Sequence, residues 1–127
     1  MRKAVIWLRI SYWIGVIADG LAALRMLFPK NAYGVEYRYA LGLGASLMLG
    51  WTFLLIWADR KPLERKGVLL LTVFPVITGL LLAEIYAVVS GMMSFGQMAP
   101  TGLILVGLMF LFSFSYFYAS YVGNQRQ

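Results

Sequence analysis

Charged residues divide this chain into long stretches that contain none. Tyr39 to Ala58 is a run of 20 uncharged residues and Ile85 to Gln125 a run of 41. A helix that crosses the hydrocarbon core of a bilayer needs about 20 mostly apolar residues. The shorter run therefore fits one span, and the longer must hold more than one. Its middle, Ser90 to Gly102, is rich in Gly, Ser, Met and Pro and carries the breaker residues that divide it. The pattern predicts an all-α integral membrane protein, an antiparallel bundle of four transmembrane helices over about 10–28, 40–58, 68–90 and 101–122. Residues 1–127 form a single domain in this reading. Pro29, Pro62 and Pro100 fall at the expected boundaries, where a helix does without a backbone donor, and Pro75 is expected to kink the third helix. The connections are expected to be about ten residues long.

Composition narrows the function classes. Of 127 residues 61% are hydrophobic and 13% charged, with a mean hydropathy of +0.78, whereas soluble domains carry about 25% charged residues. Disordered, collagen-like and disulfide-rich secreted chains are excluded, and a soluble enzyme nearly so. With no Cys and no His, the chain lacks thiolate nucleophiles, Cys-ligated metal sites, the usual general base and the commonest metal ligand. No nucleophile–base pair, metal-binding cluster or Gly-rich phosphate loop is present, so no catalytic residue, cofactor or metal is expected. Met92, Met93 and Met98 suggest a Cu(I) site only weakly, for want of a Cys or His beside them.

Positive charge sets the expected orientation. Arg2, Lys3, Arg9, Arg60, Lys61, Arg65, Lys66 and Arg126 lie on one side, against Lys30 and Arg38 on the other. Both termini and the central loop are thus predicted to be cytoplasmic, in a plasma (inner) membrane of prokaryotic type. The formal charge of +6 is this asymmetry and not a nucleic-acid footprint; the expected partner is the lipid bilayer. Arg9 is expected to snorkel to the headgroups, and the 59–66 loop could touch anionic lipid. Trp7, Arg9, Trp13 and Asp19 interrupt any clean signal-peptide core, so the first helix is expected to remain. Trp51 and Trp57, the tyrosines of the fourth helix, and Tyr33, Tyr37 and Tyr39 read as interfacial belts.

Three ionisable residues fall inside spans: Asp19, Arg25 and Glu84. Each costs roughly 2.5–3.5 kcal/mol at a helix centre and usually faces the bundle interior or water. The predicted boundaries put Arg25 and Glu84 at nearly equal depth, so an Arg–carboxylate pair is expected there, with Asp19 one to two turns deeper. Asp19 and Arg25 are six residues apart and do not share a helix face. Tyr12 does share the Asp19 face, but about 10 Å away along the axis, within reach only through water or a neighbouring helix. The trio leaves one negative charge over. Either one carboxylate carries a proton or the site takes a cation. The bland reading is a register-fixing Arg25–Glu84 pair beside a neutral, hydrogen-bonded Asp19.

Small residues recur every four positions on two helices: Gly42, Ser46 and Gly50 on the second, and Gly79, Ala83, Ala87 and Gly91 on the third. Such stripes let backbones approach closely in lipid. The expected use is packing within the chain; a homodimer or another membrane-protein partner is the alternative.

Two functions remain. The favoured one is small-molecule, ion or proton-coupled transport or ligand binding through a site of Asp19, Glu84 and Arg25, with Tyr12 nearby. In size, and in the acidic residue of its first helix, the architecture is similar to that of the small multidrug-resistance exporters. No motif is shared, and that resemblance implies inverted dimers with little charge bias, against which the positive-charge count argues. The other reading is a non-catalytic accessory or assembly subunit that docks a membrane partner through its stripes. A third-helix stripe buried inside the monomer would weaken the assembly reading. An Arg25–Glu84 pair with no adjoining cavity would sink the transport reading.

Overall fold

A computed structural model describes residues 1–29 and 34–125; Lys30, Tyr33 and Arg126 lie outside them. The chain is an all-α bundle of four helices, each long and apolar enough to cross a membrane, as a multi-pass membrane protein requires. They are α1 (Arg2–Leu27), α2 (Val35–Asp59), α3 (Gly67–Val89) and α4 (Phe95–Asn124). Several run further than the apolar windows predict, and the connections 60–66 and 90–94 shrink to seven and five residues.

The extra length has local causes. At its start α1 takes in Ala4 and Leu8, both buried, which continue the spacing of Ser11, Tyr12 and Gly15 along one face. The N-terminus of α4 is made by a capping box. Ser94 Oγ accepts from the Gln97 backbone N–H at 3.4 Å, and Gln97 Oε1 accepts from the Ser94 N–H at 3.0 Å. Pro100 is therefore inside α4 and not at its boundary, contrary to expectation. The disturbance expected at Pro75 is a π-helical segment, Thr72–Ile77. Thr78 Oγ1 donates to the Val73 carbonyl there at 2.9 Å, so a side chain takes up a bond the wider turn alters. Gly91, with φ +75°, ends α3. The N–H groups of Gly91 and Met92 return to the carbonyls of Val88 and Ala87 at 3.1 and 2.9 Å, a Schellman cap.

Around the bundle α1 packs against α2 and α4, and α3 packs against α4. The α2 and α3 backbones stay apart, bridged by Trp51 Nε1, which donates to Thr72 Oγ1 at 3.0 Å. Trp51 is thus tied into the bundle instead of serving only as an interfacial residue.

The packed core is lopsided. Its largest members, Leu8 and Tyr12 of α1, Leu55 of α2, Leu69 of α3 and Phe112 of α4, all lie in the half of the bundle that holds the termini. Two direct ties reinforce this half. Ser11 and Ser115 share a hydrogen bond of 2.7 Å between α1 and α4, and Trp7 meets Phe114 edge-on at 5.5 Å. A Cβ at Gly15 would come within 2.8 Å of Leu55 Cδ1 and 3.1 Å of Phe112 Cζ, so three helices meet most closely at this glycine. Among the described residues, the fully buried side chains of α1 and α2 in the far half are Ala23 and Ala45.

A leucine at two glycines separates these environments. Gly15→Leu should destabilise the bundle by about 1–3 kcal/mol through overpacking. Gly79→Leu, where an added Cβ meets nothing within 4 Å, should be neutral within about 0.5 kcal/mol. Detergent-titrated unfolding followed by circular dichroism measures both, and equal losses would contradict the lopsided core.

Candidate functional site

The two intramembrane carboxylates lie in the loosely packed half. Asp19 continues the inward α1 face of Gly15 by one turn, with buried Ala23 one turn beyond. Its residue is half-buried, and its Oδ2 is shielded from solvent without a hydrogen-bond partner in the protein. Glu84 of α3 is also half-buried, and its Oε2 is likewise shielded and unpartnered. This oxygen turns towards α4: a Cβ on buried Gly102 would lie 3.6 Å from it, at the same distance as from Met98 Cε. The Glu84 carboxylate thus lies in van der Waals range of the α4 backbone at Gly102.

Arg25 does not join them. It is exposed on α1, and among the described residues the ion pairs are Arg9–Asp59 and Lys61–Glu64, not Arg25 with Glu84 or Asp19. Equal depth alone does not make a pair, which also requires neighbouring helices and facing sides. The α3 helix packs on α4 instead of along α1, and Glu84 points at α4. No hydrogen bond or ion pair joins Asp19 to Glu84 either, among the described residues.

Tyr12 belongs elsewhere. It is fully buried in the packed half, and its hydroxyl donates to the Arg65 carbonyl at 2.9 Å. That bond anchors the 60–66 loop against α1. The Arg65 guanidinium donates in turn to the Trp57 carbonyl and lies 3.4 Å from the Trp57 ring centroid, a cation–π contact. Arg9 Nε sits 3.7 Å from Asp59 Oδ1, so this arginine meets a partner on α2 instead of only snorkelling to headgroups. Sequence reading missed the Ser11–Ser115 and Trp51–Thr72 bonds. Their only signal is that the hydroxyl residues fall on helix faces that turn inward.

The small-residue stripes are not used within the chain. Gly42, Ser46, Gly50, Gly79 and Ala83 are exposed, Ala87 is half-buried, and Gly91 is the α3 cap. Added Cβ atoms at Gly42, Gly50 and Gly79 would meet nothing within 4 Å. Close packing inside the monomer is therefore not found at Gly42, Ser46, Gly50, Gly79 and Ala83, which lie on open faces or groove walls.

No protein-family model, curated protein or solved structure matches the chain. The chemistry of the site is therefore read from its own residues: two separate, incompletely bonded carboxylates and an arginine that neutralises neither. In a double-mutant cycle, Arg25→Gln and Glu84→Gln should be additive in unfolding free energy within about 0.5 kcal/mol. A larger coupling would restore the ion pair.

Proposed function

We propose that this chain handles a proton, a small cation or a small cationic or polar ligand within the membrane, through Asp19 and Glu84. One observation carries the reading. Each carboxylate has an oxygen shielded from solvent with no hydrogen-bond partner in the protein, in the half of the bundle that is not closed by a core. An ionised carboxylate without a partner is costly in hydrocarbon, so each group either holds a proton or takes a cation. The step is an exchange. A carboxylic acid releases its proton to water, and the resulting carboxylate holds the cation. Intramembrane acids used in this way are common elements of proton-linked pathways. Arg25, exposed on α1 and paired with neither carboxylate, takes no part in holding the cation.

The test is proton release. In lightly buffered detergent solution, a panel of inorganic and lipophilic cations is added to the full chain while pH and the infrared carboxyl bands are followed. A cation that binds should release a proton and remove a carboxylic C=O band. Asp19→Asn or Glu84→Gln should abolish the response of the substituted group while helix content is retained. Absence of proton release and band change across the panel would assign the carboxylates a purely structural role.

A second reading rests on a separate observation: the outward faces of Gly42, Ser46, Gly50, Gly79 and Ala83. These suit an accessory subunit that docks a membrane partner closely. Cysteines placed at Gly50 and Ala83 should then cross-link to a partner in native membranes, whereas the carboxylate reading needs no such neighbour.

A further inference from the structure

The far half of the bundle contains two adjoining grooves. The first, of about 390 Å³, lies between the last turn of α1 and the first turns of α2, with Arg38, Leu41 and Gly42 on its α2 wall. Met26 lines this groove and also the second, of about 350 Å³, which continues between α2 and α3. In the second groove Gly44, Met48 and Trp51 form the α2 wall, and Pro75 and Gly79 the α3 wall. Arg38, Leu41, Gly44, Met48 and Trp51 recur at spacings of three and four, so one stripe of α2 runs along both.

Length and charge identify an occupant. The rise from Arg38 to Trp51 is about 20 Å, which is half of a bilayer about 40–45 Å thick with its headgroups. Arg38 is exposed at the top and, among the described residues, forms no ion pair. A guanidinium matches a phosphodiester in charge and geometry. Below it the walls are apolar. The single indole N–H of Trp51 is already committed to Thr72, so the floor offers a ring and no free donor.

We propose that the α2–α3 seam holds one phospholipid of the far-side leaflet, its phosphate on Arg38 and one acyl chain in the groove down to Trp51. Gly79, where an added Cβ would meet nothing within 4 Å, leaves room for the chain, whereas Gly44 is covered by Met26, whose Sδ would lie 3.2 Å from a Cβ there. The site is separate from the proposed carboxylate chemistry, since neither Asp19 nor Glu84 lines either groove.

Native mass spectrometry of the detergent-solubilised full chain, titrated with dioleoylphosphatidylglycerol, tests the assignment. One lipid per chain should be retained. Arg38→Ala should weaken retention about tenfold, as expected for loss of a charge-assisted hydrogen bond. Gly79→Leu, whose side chain would fill the groove, should abolish retention with helix content unchanged. Arg38 lies outside the core, so its variant keeps the test decisive should Gly79→Leu fail to insert. The same lipid brominated in mid-chain should quench Trp51 emission saturably, measured as the difference from Trp51→Phe. Retention at wild-type strength by both variants would overturn the proposal and mark the lipid as annular. A wild-type dimer that takes up no lipid would also overturn it, by placing a second copy in the seam.

Discussion

Lipid gives apolar helices no hydrophobic reason to associate, so a bundle like this depends on close packing and interhelical hydrogen bonds. Here both are concentrated at one end. Gly15 lets α1 approach Leu55 and Phe112, Ser11 bonds Ser115 across the α1–α4 seam, and Trp51 bonds Thr72 across the α2–α3 seam. Tyr12 adds a bond to the backbone of the 60–66 loop. These ties span three of the seams between neighbouring helices, and the rest of the bundle takes its positions from them.

Connectivity explains why the opposite end is open where it is. The far-side connections join α1 to α2 and α3 to α4, whereas α2 and α3 are joined only by the 60–66 loop at the packed end. Beyond Trp51, the α2–α3 seam therefore has neither a loop nor a side-chain bond to draw it together. Glycines and Pro75 on its walls add little bulk. The apolar groove lies where these constraints run out.

The four spans were legible because hydropathy and charge are local properties, and one helix's worth of residues decides each span. Azimuth was not. Which side of α3 meets α4, and which side of α2 meets nothing, depends on the order of the helices around the bundle, and one sequence does not carry that order. The expected Arg25–Glu84 pair and the expected burial of the Gly42 and Gly79 stripes both failed on azimuth. Boundary errors had another origin. The Ser94–Gln97 capping box and the helical turn around Arg2 are polar, and a window that looks for apolar residues discards them. Tyr12 was read as sharing the Asp19 face, and it is buried. Its partner is a loop carbonyl distant in sequence, which spacing within α1 does not reveal.

Polar groups in the two halves are treated differently. In the packed half Ser11, Tyr12, Thr52, Thr72 and Ser115 each have a hydrogen-bond partner at 2.7–3.4 Å. Ser120 Oγ is a buried exception there, and Asp59 Oδ1 meets Arg9 only as an ion pair at 3.7 Å. In the open half, the more costly groups are the ones left incomplete: Asp19 Oδ2 and Glu84 Oε2 have no hydrogen-bond partner at all. A residue kept only to join helices gains nothing from that placement, because an interhelical bond stabilises only when it is made. A carboxylate that must exchange its counter-ion needs the reverse, a position where the surroundings do not satisfy it permanently. Among the described residues, Asp19 and Glu84 are the acids with a shielded oxygen and neither a hydrogen bond nor an ion pair, which is the arrangement the proposed exchange needs.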